Sequence, residues 1–506
     1  MHPINDDSPD VAATGVRGLD DILRGGFPRN RIYLLEGNPG TGKTTLALQF
    51  LLEGIRRGEK GLYVTHSETR EELSGVARSH GWSLDELIIY VLALPDGQLP
   101  EEAQYTLYHP SEVELGETTR AVFNEVERVN PQRVVFDSLS EMRLLARDPL
   151  RYRRQILALK QFFTGRHSTV LLLDDHTSQE PDRQLESIAH GVLMLEQTLP
   201  DYGGPRRRVR VLKLRGIKYV GGYHNFDIKT GGLAVFPRLI ASDHHTTFDR
   251  RTSSSGLTNL DSLTAGGLDF GTTNLIMGPA GTGKSTLATQ YAVAAIRQGE
   301  KAVIFSFDES RTIWLDRSVI LGTDLAEYVE SGRCLIRQID PAEISPGEFS
   351  NMICNSVEKD RAKVIIIDSV NGYHQAMPEE RFLNAHMHEL QSYLNQQGVL
   401  SILVLTQHGL FGSNMPVPIE LTYLADTVLL LRFFESAGRV RKAISVVKKR
   451  TGSHEDTIRE FRLTSSGIEV GDALSDFEGI LTGLPQFTGK GKKLMEEGND
   501  NAEDRH

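Results

Sequence analysis

GNPGTGKTT, residues Gly37 to Thr45, is the stretch whose reading decides the fold. It follows the apolar run Ile32-Tyr33-Leu34-Leu35 and precedes Leu46-Ala47-Leu48-Gln49-Phe50-Leu51-Leu52, so a buried strand, a glycine loop and an amphipathic helix stand in order. Gly37, Gly42, Lys43 and Thr44 fill the G-x-x-x-x-G-K-[ST] pattern in the strand–loop–helix context that it requires. Glycines such as Gly37, Gly40 and Gly42 let backbone N–H groups turn inward around phosphate oxygens, and the helix N-terminus adds positive potential. Lys43 supplies a point charge for the β- and γ-phosphates, and the Thr44 hydroxyl is of the kind that ligates magnesium; Thr41 and Thr45 complete the loop. A bare glycine turn before a helix is the alternative, and the complete pattern in its context argues against it.

The motif is written twice. Gly278, Gly281, Thr282, Gly283, Lys284, Ser285 and Thr286 repeat it after Leu275-Ile276-Met277. One offset of 241 residues carries Gly42 to Gly283, Gly15 to Gly256, Asp20 to Asp261, Gly58-Glu59-Lys60 to Gly299-Glu300-Lys301, and Glu68 to Glu309. Matches spread over that span without a gap indicate a duplicated nucleotide-binding domain.

The 506 residues (56.3 kDa) hold two domains of about 230 residues each. Hydrophobic residues at 39% and charged ones at 24% match an ordinary globular protein. A net charge of −11 weighs against a broad non-specific grip on nucleic acid. Cys334 and Cys354 form no metal or redox spacing, and both read as reduced. No apolar run reaches membrane-span length, and MHPINDDSPD has no signal-peptide character, so the cytoplasm is the expected compartment and no membrane the expected partner.

Residues 1–13 read as polar and loose. A first domain over 14–240 then alternates strand-like and helix-like runs. Leu62–Thr65 ends at His66-Ser67-Glu68, Val134–Phe136 ends at Asp137-Ser138, and Val170–Leu173 ends at Asp174-Asp175-His176. The basic stretch Leu150–Phe163 between the last two reads as a helix. Runs buried on both faces and separated by helices predict α/β domains, each a mainly parallel sheet flanked by helices. Alternation near Val209–Leu214 predicts antiparallel strands at the sheet's edge. Residues 241–254 lose the pattern and read as a linker, and 255–483 repeats the order of the first domain. Residues 484–506, rich in Gly, Lys, Glu and Asp from Gly489 on, read as a flexible tail.

In open α/β sheets ligands bind at the carboxyl ends of the strands, so strand-end residues carry the chemistry. Asp137 and Asp368 each close an apolar run and precede Ser, where an aspartate holds a magnesium ion's shell. Glu68 and Glu309 end the strand after each P-loop helix, where a carboxylate orients or deprotonates the attacking hydroxyl. Ser67 stands beside Glu68, whereas Asp308 stands beside Glu309 and adds a second candidate base. Late in each domain come Lys213-Leu214-Arg215 and Lys448-Lys449-Arg450. Lys213, Arg215, Lys448 and Arg450 lie far in sequence from their own P-loops, and their repetition suits cations that reach a neighbouring subunit's nucleotide.

Taken with VLKLRG at Val211–Gly216 and with ADTVLLL and KKRTGSHEDTIREF in the second half, these residues make the chain resemble the KaiC proteins of the RecA-like ATPase superfamily over most of 14–483. The resemblance implies two tandem RecA-like P-loop domains in a double ring of six subunits, with ATP and magnesium between neighbours. It implies ATP hydrolysis in the N-terminal ring, autokinase and autophosphatase activity in the C-terminal ring, and the clock proteins KaiB and, in some lineages, KaiA as partners. The chain departs from the family's pattern at three places. Ser67-Glu68 and Asp308-Glu309 replace paired glutamates, and Thr422-Tyr423 stands where the family has adjacent Ser-Thr acceptors before the segment matching Leu424–Thr427. Thr422 is thereby the expected phosphoacceptor. Two other readings compete with a clock-like ATPase and serine/threonine autokinase. A RecA-like recombinase or helicase would present basic, aromatic loops, and Tyr373–Pro378 and Phe411–Pro418 carry no Lys or Arg. A signalling scaffold would use ATP only to hold its ring together.

Overall fold

The computed structural model describes residues 10–92, 110–146, 148–175, 183–375, 382–407, 421–481 and 486–489. His176, His408, the Phe411–Pro418 stretch and most of the expected tail lie outside the described residues. The chain divides into two compact units, Met1–Arg238 and Leu239–His506, each built on a nine-stranded sheet.

In the first unit the P-loop strand Ile32–Gly37 lies between Thr169–Asp175 and Gly191–Thr198. Arg133–Asp137, Gly61–Thr65 and Ile88–Val91 continue outward from Thr169–Asp175, and all six strands run parallel. Arg206–Leu214, His224–Lys229 and Gly232–Phe236 then extend the other edge antiparallel, as the alternation near Val209 predicts. The second unit repeats this order strand for strand. Thr273–Gly278 lies between Leu400–Thr406 and Thr427–Ser436, with Val364–Asp368, Ala302–Ser306 and Cys334–Gln338 on one side. Arg439–Lys449, Ile458–Thr464 and Gly467–Ala473 follow antiparallel on the other. Identical topology in both halves fits the duplication read from the 241-residue offset.

The period of the P-loop strand decides which layer each side chain joins. Tyr33 and Leu35 pack with Leu46, Phe50 and Leu51 of the helix Lys43–Arg56, while Ile32 and Leu34 face Tyr152, Ile156 and Phe163 of the helix Pro149–Phe163. In the second unit Ile276 joins Leu287 and Tyr291 of Lys284–Arg297, and Leu275 and Met277 join Leu390 and Leu394 of Leu383–Gln396. Both faces of each sheet are covered, as a parallel sheet requires. The helix Pro149–Phe163 starts where Asp148 accepts hydrogen bonds from the Leu150 and Arg151 amides at 2.8 and 3.0 Å, with proline at its first position.

Two segments are more ordered than their composition suggests. Val11–Ala12 pairs with Phe27–Pro28, and Ala12 is fully buried, so the chain is already part of the first unit before residue 13. Ala241–His244 forms a 3-10 turn held to the helix Leu383–Gln396 by a bond from the Ala241 amide to Glu389 at 3.2 Å, and Thr252–Ser253 pairs with Leu268–Asp269. Hydrogen-bond partners and packing, not composition, order these stretches. No helix among the described residues is long and apolar enough to cross a membrane.

Candidate functional site

Each P-loop begins where its strand ends. A Cβ added at Gly37 would come within 2.6 Å of the Leu195 carbonyl oxygen, so the strand tolerates no side chain there. Gly42 and Gly283 cap the two loop helices at φ 97° and 104°, and Gly40 and Gly281 sit at φ 82° and 79°, a left-handed region that glycine enters without strain. Thr41 and Thr282 are buried, and their hydroxyls donate to the Asn38 and Pro279 carbonyls at 2.8 and 2.9 Å, which tightens the loops. Thr45 and Thr286 are buried in the first helical turns. Ile228 and Leu233 lie closest to Gly42, and Leu463 and Phe461 to Gly283, so the antiparallel strands form the outer wall of each loop. In the second unit that wall borders a cleft of about 720 Å³ lined by Arg441, Lys442, Arg462 and Thr464.

The two lysines are held differently. Lys43 Nζ donates to the Gly37 carbonyl at 2.7 Å and the Asn38 carbonyl at 3.1 Å, and pairs with Asp175 Oδ1 at 2.7 Å. Lys284 Nζ donates to the Pro279 carbonyl at 2.8 Å. Burial pushes the Lys284 amine down to about 8, with Asp368 and Asp308 opposing that shift.

The strand-end aspartates lie where the loop hydroxyls can meet them. Thr44 Oγ1 donates to Asp137 Oδ2 at 3.4 Å, and Tyr63 donates a short hydrogen bond to the same oxygen. Burial raises the Asp137 carboxyl, the Tyr63 bond partly reverses this, and Asp175 adds to the rise. Asp368 is pushed up to about 6, chiefly by burial, with the Ser285 hydroxyl opposing and Glu309 adding. Asp368 Oδ2 takes no hydrogen bond among the described residues. A buried carboxylate oxygen left open beside a loop hydroxyl suits a cation's shell, so Ser285 with Asp368 fit a magnesium ion brought in with a nucleotide, and Thr44 with Asp137 repeat the residue types, with Asp137 Oδ2 already bonded to Thr44 and Tyr63. No cluster of three or more His, Cys, Asp or Glu among the described residues would hold a metal unaided. The peptide after each aspartate, Asp137–Ser138 and Asp368–Ser369, is cis.

One strand further out stand the glutamates. The Glu68 amide donates to Thr65 Oγ1 at 3.0 Å, and the Glu309 amide to Ser306 Oγ at 3.3 Å, so a strand-end hydroxyl sets the backbone in both copies. Their carboxylates differ. Glu68 is raised to about 7, first by burial and then by Asp137 and Glu72, and its Oε2 is buried without a hydrogen-bond partner among the described residues. Glu309 is ion-paired with Arg317 at 2.5 Å, and the Arg317 guanidinium lies 4.7 Å over Trp314. Asp308 Oδ2 accepts from the Ser369 hydroxyl at 2.6 Å, tying it to the strand end that carries Asp368.

The late cations are anchored on their own unit. Lys213 Nζ donates to the Glu186 and Ala189 carbonyls at 2.7 and 2.8 Å, and Arg215 to the Ser187 carbonyl at 3.4 Å. Lys448 Nζ donates to the Thr422 and Ala425 carbonyls at 2.7 Å each, and Arg450 to the Tyr423 carbonyl at 2.8 Å. Both cations therefore fasten the segment that carries Thr422, whose side chain is exposed.

Five residues escaped sequence reasoning: Tyr63, Asp175, Arg317, Ser140 and Asn371. Tyr63 sits in an apolar run and reads as core; its duplicate, by the 241-residue offset, is Ile304. Arg317 duplicates Val76. Asn371 bonds both ways with the Thr406 backbone, at 2.9 and 2.7 Å, and Ser140 meets Asp175 at 3.2 Å, so each pins the next strand end. Comparing the two halves at that offset would have exposed Tyr63 and Arg317, whereas the counterpart of Asp175 emerges only from the strand register.

A family model described as "ATPase: KaiC" matches residues 12–240 and again 253–475. The chain belongs to the KaiC ATPase family. The chain is 28% identical over 497 residues to the circadian clock oscillator protein KaiC of Prochlorococcus marinus (strain MIT 9313), covering 93% of this chain and 95% of that protein. It is 29% identical over 495 residues to the protein of the same name from Thermostichus vulcanus, at 93% and 91% coverage. Against the circadian clock protein KaiC3 of Synechocystis sp. (strain ATCC 27184 / PCC 6803 / Kazusa) it is 26% identical over 486 residues, at 94% of each. As a KaiC-family ATPase, the chain is an ATP-binding and ATP-hydrolysing enzyme.

Proposed function

We propose that both units bind Mg-ATP at the described P-loops, that Glu68 serves hydrolysis in the N-terminal unit, and that the C-terminal unit phosphorylates Thr422. The observation that carries this reading is the pairing of two complete sites with unlike carboxylates: a lone Glu68 raised to about 7 against an Asp308–Glu309 pair braced by Ser369 and Arg317. Magnesium supplies charge neutralisation across the phosphate oxygens when bound. Lys43 and Lys284 stabilise the charge that develops on the β–γ bridging and terminal oxygens. In the first unit Glu68 takes a proton from water as the water oxygen bonds to the γ-phosphorus and the β–γ oxygen–phosphorus bond breaks, leaving ADP and phosphate. In the second, Asp308 or Glu309 takes the proton of a neighbouring subunit's Thr422 hydroxyl as that oxygen bonds to the γ-phosphorus of ATP and the β–γ oxygen–phosphorus bond breaks, leaving phosphothreonine and ADP. Tyr423 holds its hydroxyl several ångströms further out, past in-line reach of a site shaped for threonine.

Lys213, Arg215, Lys448 and Arg450 act across subunit boundaries in a cytoplasmic homohexamer, each cation exchanging a carbonyl partner for a neighbour's phosphate. A KaiB-like protein is the expected partner by family resemblance. Phosphopeptide mapping after incubation with Mg-ATP tests the kinase half of the reading. Phosphate should appear on Thr422 and vanish in Thr422→Ala; phosphate mainly on Tyr423 would overturn the assignment. An unphosphorylated wild type that still hydrolyses ATP would leave a pure ATPase. Lys43→Ala should lose nucleotide-dependent hexamers, and a stable hexamer without nucleotide would refute the role of the N-terminal site in assembly.

A further inference from the structure

The strand beside each P-loop ends differently in the two units. In the parallel ladders Gly37 pairs with Asp175 and Gly278 pairs with Thr406, so the register makes Asp175 and Thr406 counterparts. A carboxylate therefore occupies, in the N-terminal site only, the position next to the first glycine of the loop. It is held on both oxygens. Oδ1 pairs with Lys43 Nζ at 2.7 Å, Oδ2 accepts from Ser140 Oγ at 3.2 Å, and the Asp175 amide donates back to Ser140 Oγ at 3.3 Å. The side chain keeps 29% of its surface open, while Lys43 keeps 8%. Among the described residues Lys284 makes no ion pair, and the Thr406 amide is taken by Asn371 Oδ1. The C-terminal loop thus offers its lysine without a direct ion pair, Asp368 and Asp308 acting on it only at longer range.

We infer that Asp175 is a specificity residue of the N-terminal nucleotide site, a fixed negative charge at the terminal-phosphate end that disfavours metal-free triphosphate relative to diphosphate. The inference rests on the proposed reading of Gly37–Thr45 as a nucleotide site and deepens it. Lys43 is the one side-chain cation of the loop, and its three donors are taken by the Gly37 and Asn38 carbonyls and by Asp175, so a phosphate that claims it must displace one of them. Whichever gives way, the Asp175 carboxylate remains tied to Ser140, a few ångströms from the incoming oxyanion. Like charges at that separation in a partly buried site repel strongly, and the repulsion grows with each added phosphate charge. A divalent cation carried with the triphosphate offsets it. The N-terminal site would therefore require the metal for triphosphate binding more strictly than the C-terminal site does, and would retain diphosphate in its absence.

The test uses the full chain with Lys284→Ala, so that only the N-terminal site reports. Affinities for ATP and ADP are measured by calorimetry with magnesium and with excess EDTA, in this background and with Asp175→Asn or Asp175→Thr added. Asp175→Asn keeps the shape and Ser140 as a neighbour, and Asp175→Thr installs what the C-terminal unit has, so a failure of one to fold leaves the other to read. Metal-free ATP affinity should rise roughly ten- to hundredfold in both variants, metal-free ADP affinity by clearly less, and the gain should shrink with magnesium. An unchanged ATP-to-ADP ratio, or weaker ATP binding, would overturn the inference. Lys43→Ala in the same background separates the two failures. Lost binding there with no effect at Asp175 removes only this inference, whereas intact binding removes the nucleotide site as well.

Discussion

Glu68 is where the electrostatics of the site make the sharpest demand on activity. Its carboxyl is raised to about 7 by burial, with Asp137 and Glu72 adding to the rise. A general base must be ionised to accept a proton. With an apparent value near 7, about one-tenth of the protein carries the ionised base at pH 6 and about nine-tenths at pH 8, so turnover at the N-terminal site should climb close to tenfold across that interval. A carboxylate at its ordinary value would give a flat profile over the same range. The assay is kcat/KM for ATP between pH 5.5 and 8.5 in Lys284→Ala, since this constant reports groups of the free enzyme. Glu68→Gln in the same background, profiled in parallel, carries the titration of the substrate itself and serves as the baseline. Glu72→Gln removes one like charge and should move the limb slightly to lower pH. Glu68→Gln should abolish the limb and cut the rate by about 10²–10⁴. A flat profile in Lys284→Ala, or an unchanged rate in Glu68→Gln, would refute the assignment of Glu68 as the base.

Two further outcomes follow from the same geometry. Tyr63→Phe removes a hydrogen bond that holds the Asp137 carboxyl down, so the N-terminal site should need several-fold more magnesium for half-maximal rate while the C-terminal site, with Ile304 in that place, stays unaffected; magnesium titrations of the two single-site variants check this. Asp368 is raised from 3.8 to about 6 in the folded protein, so its contribution to stability is fully present below about pH 4 and is lost as pH rises through about 6; Asp368→Asn should therefore melt higher than wild type above pH 6 without nucleotide, by up to about 3 kcal/mol, with the gap closing toward pH 4.

The sheet was legible because its signals are local. Apolar runs closed by a glycine loop or an acid, such as Ile32–Gly37 and Val364–Asp368, announce parallel strands and place the loop lysine, the aspartate and the glutamate at one end of them. The alternation at Val209–Leu214 announced the antiparallel edge. What escaped was whatever a side chain does across strands. Tyr63 is indistinguishable in sequence from a core aromatic until Asp137 of the neighbouring strand is placed against its hydroxyl. Arg317 reads as a solvated helix cation until the helix Arg311–Ile320 folds back beside Glu309. The ordered start at Val11 was hidden for the same reason, since its partner Pro28 lies beyond an intervening helix.

The duplication turns those cross-strand contacts into a controlled comparison. Both halves keep Lys43 with Lys284, Asp137 with Asp368 and Glu68 with Glu309 at matching strand ends. They differ in the residues that hold these groups: Tyr63 against Ile304, Asp175 against Thr406, and Val76 against Arg317. Each change alters charge or hydrogen bonding at a group common to both sites without changing the group itself. In the N-terminal site the lysine and the aspartate both have partners, and the glutamate is left raised. In the C-terminal site the lysine makes no ion pair among the described residues, and both strand-end carboxylates, Asp308 and Glu309, are braced. Two copies of one phosphate-handling frame therefore carry the same charged groups with different partners. The unlike roles proposed for the two halves rest on these few supporting side chains.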